Sequence, residues 1–134
     1  MATAIARRRT GFTHDIEIEG GHKLVADEPQ DAGGADEGPS PIRLVSAALA
    51  ACTAITVEMY ADRKGWDLGD LEVEVEREDD GRGGASSFTV TLRVPKPLTE
   101  EQTERILRIA SKCPVHRAIA GETPVEISDR IESA

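Results

Sequence analysis

An α+β domain is predicted for this chain of 134 residues from two observations. Short segments in which apolar and polar residues alternate indicate strands with one face in water. Between them lie three segments with helical start signals, the first of which is apolar nearly all round. The length fits a single domain, residues 1–134, that can bury a core without a disulfide.

The first strands are predicted within residues 2–27. Ile16 and Ile18 alternate with glutamates, and a Gly-Gly pair then supplies a turn before a further short strand. The next segment, 28–40, is rich in Asp, Glu, Gly and Pro and has almost no apolar residues. It predicts a long loop, which in a compact domain is either functional or disordered.

Pro41 is predicted to open the longest helix, because proline suits the first helical position, where its missing N–H is not needed. Ser40 is the predicted N-cap, and Gly65 follows the last helical residue, Lys64. The helix is apolar on nearly every side from residue 42 to 57, which predicts a central, buried helix with antiparallel strands around it. One small domain needs less apolar circumference than this, which favours an oligomer.

The second half of the chain predicts a β-hairpin, two helices and a last strand. Residues 71–75 and 88–94 alternate apolar with polar side chains on either side of a glycine-rich turn. Thr99 and Gln102 form a capping box that starts the next helix. Alternation over 125–128 predicts the last strand, so the expected order is βββ-α-ββ-α-α-β.

Charge and apolar content argue against several classes of function. A net charge of −9 disfavours nucleic-acid binding, which depends on Lys and Arg, and it disfavours anionic membranes. Residues 1–10 lack the apolar core of a signal peptide, and the apolar run Ile42 to Val57 is too short and too interrupted to span a bilayer. We therefore expect a soluble cytoplasmic protein. There a cysteine pair is more often catalytic, redox-sensing or metal-binding than structural.

Cys113 lies at a break between two helical segments. A residue before proline is pushed out of the helical region, so Cys113 is expected to cap a helix that begins at Pro114. Its sulfur would then face unpaired backbone N–H groups, which favours the thiolate. Positive charge is added nearby by Lys112, His116 and Arg117. The alternative interpretation is a half-buried structural cysteine.

Cys52 lies in the alanine-rich run 44–55, where a cysteine is usually a small hydrophobic residue. A reactive thiol in such surroundings needs a cation from elsewhere in the fold. Arg7, Arg8 and Arg9 are the candidates, because they lie at the end of a predicted strand. They are equally interpretable as a solvated basic edge.

Zinc binding is the competing chemistry. Cys113 and His116 have ligand-like spacing, and Cys52, His14 or His22 could complete a tetrahedral set. The match is weak, because zinc sites usually draw on two local ligand pairs and here there is one. The sequence has no glycine-rich phosphate loop and no C-x-x-C, G-x-S-x-G or H-E-x-x-H motif, so no cofactor or thioredoxin-type mechanism is predicted.

Four segments together resemble one family. Gly38-Pro39-Ser40-Pro41 is followed by Cys52-Thr53, then by the segment 60–66, then by Lys112-Cys113-Pro114-Val115-His116. In order and spacing these resemble the OsmC/Ohr superfamily of osmotically inducible and organic hydroperoxide resistance proteins. The resemblance covers nearly the whole chain, and it implies an intertwined homodimer with the Cys52 helix at the subunit interface.

The resemblance also implies a chemistry for the two thiols. In the family's peroxidases the first cysteine, here Cys52, attacks the peroxide and becomes a sulfenic acid. The second, here Cys113, resolves it as a disulfide, and a dithiol reductant restores both. These roles reverse the order of reactivity that the local sequence suggests, because the reactivity of Cys52 depends on tertiary neighbours.

One departure from the family pattern concerns how Cys52 is activated. The hydroperoxide resistance branch has a glutamate directly after the helix-opening proline, paired with an arginine from a turn between the first strands. Here Ile42 and Arg43 follow the proline, and Arg9 is the nearest match to the arginine. The chain thus resembles the OsmC-like branch. A non-enzymatic redox-sensing or small-molecule-binding protein remains the alternative to a peroxidase.

Overall fold

The computed structural model describes residues 2–134, and within them it has a mixed α+β architecture, as the sequence predicts. The chain order is β1–β2–β3–α1–β4–β5–α2–α3. The bounds are β1 Ala4–Thr10, β2 Thr13–Ile18, β3 His22–Ala26, α1 Pro41–Lys64, β4 Glu72–Glu78, β5 Ser87–Arg93, α2 Glu100–Ala110 and α3 Pro114–Ile119.

Two compact units divide the chain. The first holds the residues up to Ala47 together with Arg77–Phe88, and the second holds Ala48–Glu76 together with Thr89–Ala134. The single domain 1–134 expected from the length therefore stays a prediction.

The first unit contains an antiparallel sheet in the order β1-β2-β3. Ile16 of β2 lies opposite Ala6 of β1 and Leu24 of β3. The isoleucines of β2 are half-buried while the acidic residues between them are exposed, so the alternation predicted from the sequence is confirmed. All of β1 is exposed.

One buried carboxylate orders the acidic loop that follows β3. Asp27 is 2% exposed and accepts hydrogen bonds from Thr13 Oγ1 at 2.7 Å and from the backbone N–H groups of Glu28, Glu37 and Ala35 at 2.7, 3.2 and 3.4 Å. These five residues are called the Asp27 network below. The bond from Thr13, followed by those from the backbone, holds the pKa of Asp27 below its usual value, although burial opposes this.

The loop also depends on two glycines that pack against backbone. A Cβ on Gly34 would lie 1.9 Å from the carbonyl oxygen of Glu28, and one on Gly38 would lie 2.2 Å from that of Val25. Real Cβ atoms do not approach backbone this closely, so a larger side chain requires the loop to move. Only glycine fits these two positions.

Replacing Gly34 by alanine is therefore expected to destabilise the protein by about 3 kcal/mol, because the overlap is with backbone that cannot rotate away. The unfolding midpoint in urea measures it. Gly11→Ala is the matched control, since a Cβ there meets nothing within 4 Å and adds only the strain of its φ of 54°. Equal midpoints for Gly34→Ala and Gly11→Ala would contradict the packing argument.

The core of the second unit lies along one stripe of α1. Leu49, Thr53, Val57 and Ala61 recur every fourth residue, point the same way and are all buried. Val57 and Ala61 form the core cluster with Leu68, Ile106 and Ala110. The helix ends where Gly65 adopts a φ of 69°, and Trp66 N–H bonds to Ala61 O at 2.9 Å.

The prediction that α1 is buried nearly all round is wrong for the single chain. Ile55 is 51% exposed and Met59 is 58% exposed. A helix in a small chain meets neighbours on one side only, so the rest of its apolar circumference stays in contact with water. The sequence shows how apolar the helix is but not what covers it.

The length of α1 also revises the expectation about membranes. Its 24 residues, with a mean hydropathy of 1.6, are long and apolar enough to cross a bilayer by length and composition alone. The run Ile42 to Val57 is by itself too short to span a bilayer, but the helix continues beyond it to Lys64. The core helix of a soluble protein passes the same test, so the finding is weak evidence for a membrane span.

The hairpin and the helix starts of the second half are confirmed, and the last strand is not. Thr99 and Gln102 form the predicted capping box, with bonds of 2.9 and 3.1 Å. Val125 and Ile127, by contrast, lie in a segment without regular structure and are 63% and 83% exposed. Alternation marks a segment that can be a strand, but a strand also needs a neighbouring edge to bond to.

Candidate functional site

The first thiol of the candidate site belongs to Cys113, which caps α3 as predicted. Its φ and ψ of −57° and 136° are not helical, and Pro114 takes the first helical position. The sulfur accepts a hydrogen bond from the backbone N–H of His116 at 3.3 Å. The residue is completely buried, so its thiol reacts only with groups that the fold brings to it.

The prediction that Cys113 favours the thiolate is wrong. Burial raises the pKa of the Cys113 thiol, and the neighbouring Cys52 thiol raises it further. The N–H groups of His116 and Val115 act in the opposite direction and are outweighed. The local sequence shows the helix start but not the burial, so it overestimates the acidity of this thiol.

Cys52 brings the second thiol from α1. It is half-buried and lies beside Thr53, which belongs to the buried stripe of the same helix. The Cys52 thiol is a near neighbour of the Cys113 thiol, because it acts on the pKa of Cys113, and both cysteines are free. The two cysteines that the sequence singled out therefore lie near each other in the second unit.

Arg9 lies on β1 in the first unit and already has an anionic partner. Its guanidinium donates to Asp15 from Nε at 3.2 Å and also from Nη2, and this pairing raises the pKa of Arg9. Arg7 pairs with Glu17 at 2.8 Å, and Arg8 donates to the carbonyl of Gly11 at 2.9 Å. The role of Arg9 as the activating cation stays a prediction.

Two polar atoms that the sequence reasoning did not single out are buried in the second unit. Thr53 Oγ1 and His116 Nδ1 have no hydrogen-bond partner in the described part of the chain. From the sequence, His116 is predicted only as a nearby positive charge and a zinc candidate. Its spacing of three residues from the helix-capping Cys113, as in a capping box, is the signal that could have found it.

The zinc alternative finds no support in the arrangement of donors. Among residues 2–134 there is no group of three or more His, Cys, Asp and Glu side chains placed to hold a metal ion. Cys113 and His116 have the spacing of a ligand pair but lack the further donors that a tetrahedral zinc site needs.

The α+β fold thus carries a half-buried thiol on its long helix and a buried thiol at the start of α3. The family model described as OsmC-like protein matches residues 33–128, which is more than half of the chain. The chain belongs to the OsmC-like family. No curated protein sequence matches it significantly.

Solved structures show the same fold. The OsmC-like protein of Mycoplasma pneumoniae has a TM-score of 0.75 at 20% identity, over 90% of this chain and 88% of that one. An organic hydroperoxide resistance protein OsmC of Legionella pneumophila has a TM-score of 0.64 at 23% identity, over 90% of each chain. OhrB of Bacillus subtilis, an organic hydroperoxide resistance protein, has a TM-score of 0.58 at 27% identity, over 90% and 91%.

Proposed function

We propose that this protein is a thiol-dependent peroxidase that reduces organic hydroperoxides or hydrogen peroxide through Cys52 and Cys113. The observation that carries the proposal is that the two thiols are neighbours, one half-buried and one fully buried. Membership of the OsmC-like family and the similarity to proteins named for organic hydroperoxide resistance support a peroxide-related role.

The cycle has three steps. The Cys52 thiolate attacks one peroxide oxygen and the O–O bond breaks. Cys52 becomes a sulfenic acid, and an alcohol or water is released. Cys113 attacks the sulfenyl sulfur, so that an S–S bond forms, the S–O bond breaks and water leaves. An external dithiol then reduces the disulfide and is itself oxidised to a disulfide, which restores both cysteines.

The division of roles follows from exposure. A peroxide must reach the attacking sulfur, and Cys52 is half-buried whereas Cys113 has no exposed surface. The raised pKa of Cys113 also favours its protonated form, which suits a thiol that reacts only after Cys52 has been oxidised. Arg9 remains the proposed activating cation as the nearest match to the family's arginine, although position 42 carries isoleucine in place of that arginine's carboxylate partner.

Free-thiol counts during peroxide treatment test the proposal. Reduced protein treated with cumene hydroperoxide or hydrogen peroxide should lose both thiols together, and a dithiol should then sustain continuous peroxide consumption. If both thiols survive excess peroxide, the proposed function is wrong. A stable disulfide that no dithiol turns over would instead indicate a redox sensor.

We also propose that the protein is cytoplasmic and forms a homodimer. The dimer is proposed because α1 exposes large apolar side chains that a second copy would cover. Light scattering is expected to give twice the chain mass. Ile55→Asp should shift the protein toward monomer, because it places a charge among those side chains. Glu104→Gln is the control, since it changes charge by one unit at an exposed position of a different helix, α2. A monomeric wild type would contradict the dimer.

A further inference from the structure

His116 carries a buried nitrogen that the proposed cycle has not yet used. Within residues 2–134 its Nδ1 is shielded from water and makes no hydrogen bond. Buried polar atoms in native proteins are nearly always hydrogen-bonded, so an unpartnered one calls for a chemical reason. A neutral imidazole with a free ring nitrogen is a proton acceptor.

His116 lies one helical turn after the resolving thiol, and its backbone is in contact with that sulfur. Cys113 is the N-cap of α3, and His116 is the third residue of the helix. The backbone nitrogen of His116 is 3.3 Å from Cys113 Sγ. A side chain at this third position turns back toward the cap residue, as the glutamate of a capping box does. Nδ1 makes no hydrogen bond to Cys113 Sγ in this structure, so proton transfer requires the imidazole to turn toward the sulfur.

The resolving thiol needs such an acceptor. Cys113 is completely buried, and its surroundings favour the protonated thiol. From α1, the titratable group beside it is Cys52, which is the electrophile in this step. The other charged groups near this end of the site, Arg108, Lys112 and Arg117, have exposed side chains and are cations that cannot take a proton at neutral pH.

We propose that His116 Nδ1 accepts the proton of Cys113 as this thiol attacks oxidised Cys52. The Cys113 sulfur, freed of its proton, forms the S–S bond while the S–O bond of the sulfenic acid breaks. The leaving hydroxide takes the proton from His116 and departs as water, so His116 returns to its neutral form. This inference rests on the proposed peroxidase cycle for its substrate, but the proton transfer can be tested without peroxide.

The test uses a mixed disulfide on Cys52. An aromatic disulfide whose thiolate is coloured reacts first with the half-exposed Cys52, and attack by Cys113 then releases a second coloured thiolate. We expect His116→Asn, which keeps a polar atom near Nδ1 but cannot take the proton, to slow that release about a hundredfold at neutral pH. The defect should shrink as the pH rises, because hydroxide then ionises Cys113 directly. His22→Asn, the same change on the exposed start of β3, is the control.

Each outcome decides the inference. Release at the wild-type rate in His116→Asn, or a defect of the same size at every pH, would overturn it, because a purely structural role has no pH dependence. Restored release on adding free imidazole to His116→Ala would support it. Failure of the wild type to react with peroxide would overturn the proposed function and leave this result standing. If peroxide oxidises Cys52 equally fast in wild type and His116→Asn, the defect lies in resolution alone.

Discussion

Cys52→Ser is expected to lower peroxide consumption by at least about a thousandfold, because a hydroxyl is a far weaker nucleophile than a thiolate at neutral pH. Cys113→Ser should behave differently. This substitution leaves the half-buried Cys52 sulfur able to react with peroxide but removes the neighbouring Cys113 thiol. The first step then proceeds and the protein stops at the sulfenic acid, which is vulnerable to further oxidation.

Mass spectrometry after one equivalent of cumene hydroperoxide distinguishes the two variants. Cys113→Ser should add one oxygen at Cys52 and react with a sulfenic-acid trap, and Cys52→Ser should remain unmodified. The wild type, the control, should lose two hydrogens as the disulfide forms. An oxygen added to Cys113 in the Cys52→Ser protein, at the wild-type rate, would show that the two roles are reversed.

Asp27→Asn is expected to lower the thermal unfolding midpoint at neutral pH by roughly 10 °C. The carboxylate accepts bonds from the Thr13 hydroxyl and from three backbone N–H groups of the loop. An amide has only one oxygen to accept with, and its NH₂ group would face donors. Several N–H groups of the loop would therefore lose their partner, and the Asp27 network would not form.

The pH dependence of stability gives this prediction its sign. The pKa of Asp27 is lowered in the folded protein, whereas a carboxyl in the unfolded chain titrates near pH ~4. The stabilisation is therefore complete above that value and is lost as the pH falls through the lower folded pKa. The midpoint gap between wild type and Asp27→Asn should narrow in acid.

Circular dichroism melts at neutral and acidic pH measure this gap. Asp31→Asn is the matched control, because Asp31 lies on the same loop with an exposed side chain. It should leave the midpoint nearly unchanged at either pH. A constant difference between wild type and Asp27→Asn across the whole range would contradict the role assigned to the charge.

Most helices and strands were predictable because their signals are local. Proline at the start of α1, Gly65 after its end and the capping box at Thr99 act within one turn of chain. The alternation around Ile16 acts within one strand. The last strand failed because its alternation, though present at Val125 and Ile127, needs an edge to bond to, which no local pattern supplies.

The site was predictable in its residues but not in their chemistry. Spacing and composition singled out Cys52 and Cys113, and family resemblance assigned their roles. Burial and the Cys52 thiol, which is distant in the chain, raise the pKa of Cys113, so the local helix start was misleading. The unpartnered Nδ1 of His116 was equally hidden, because a missing hydrogen bond becomes visible only when all the neighbours are placed.

The sequence by itself determined the α+β class, the loop composition and which two sulfurs matter, because periodicity and caps are properties of adjacent residues. Only the tertiary structure decided that the two thiols are neighbours, that burial raises the pKa of Cys113, and that Asp27 orders the acidic loop. The physical reason is shared. Contact and desolvation depend on what surrounds a group in space, and the chain brings those groups together only when it folds.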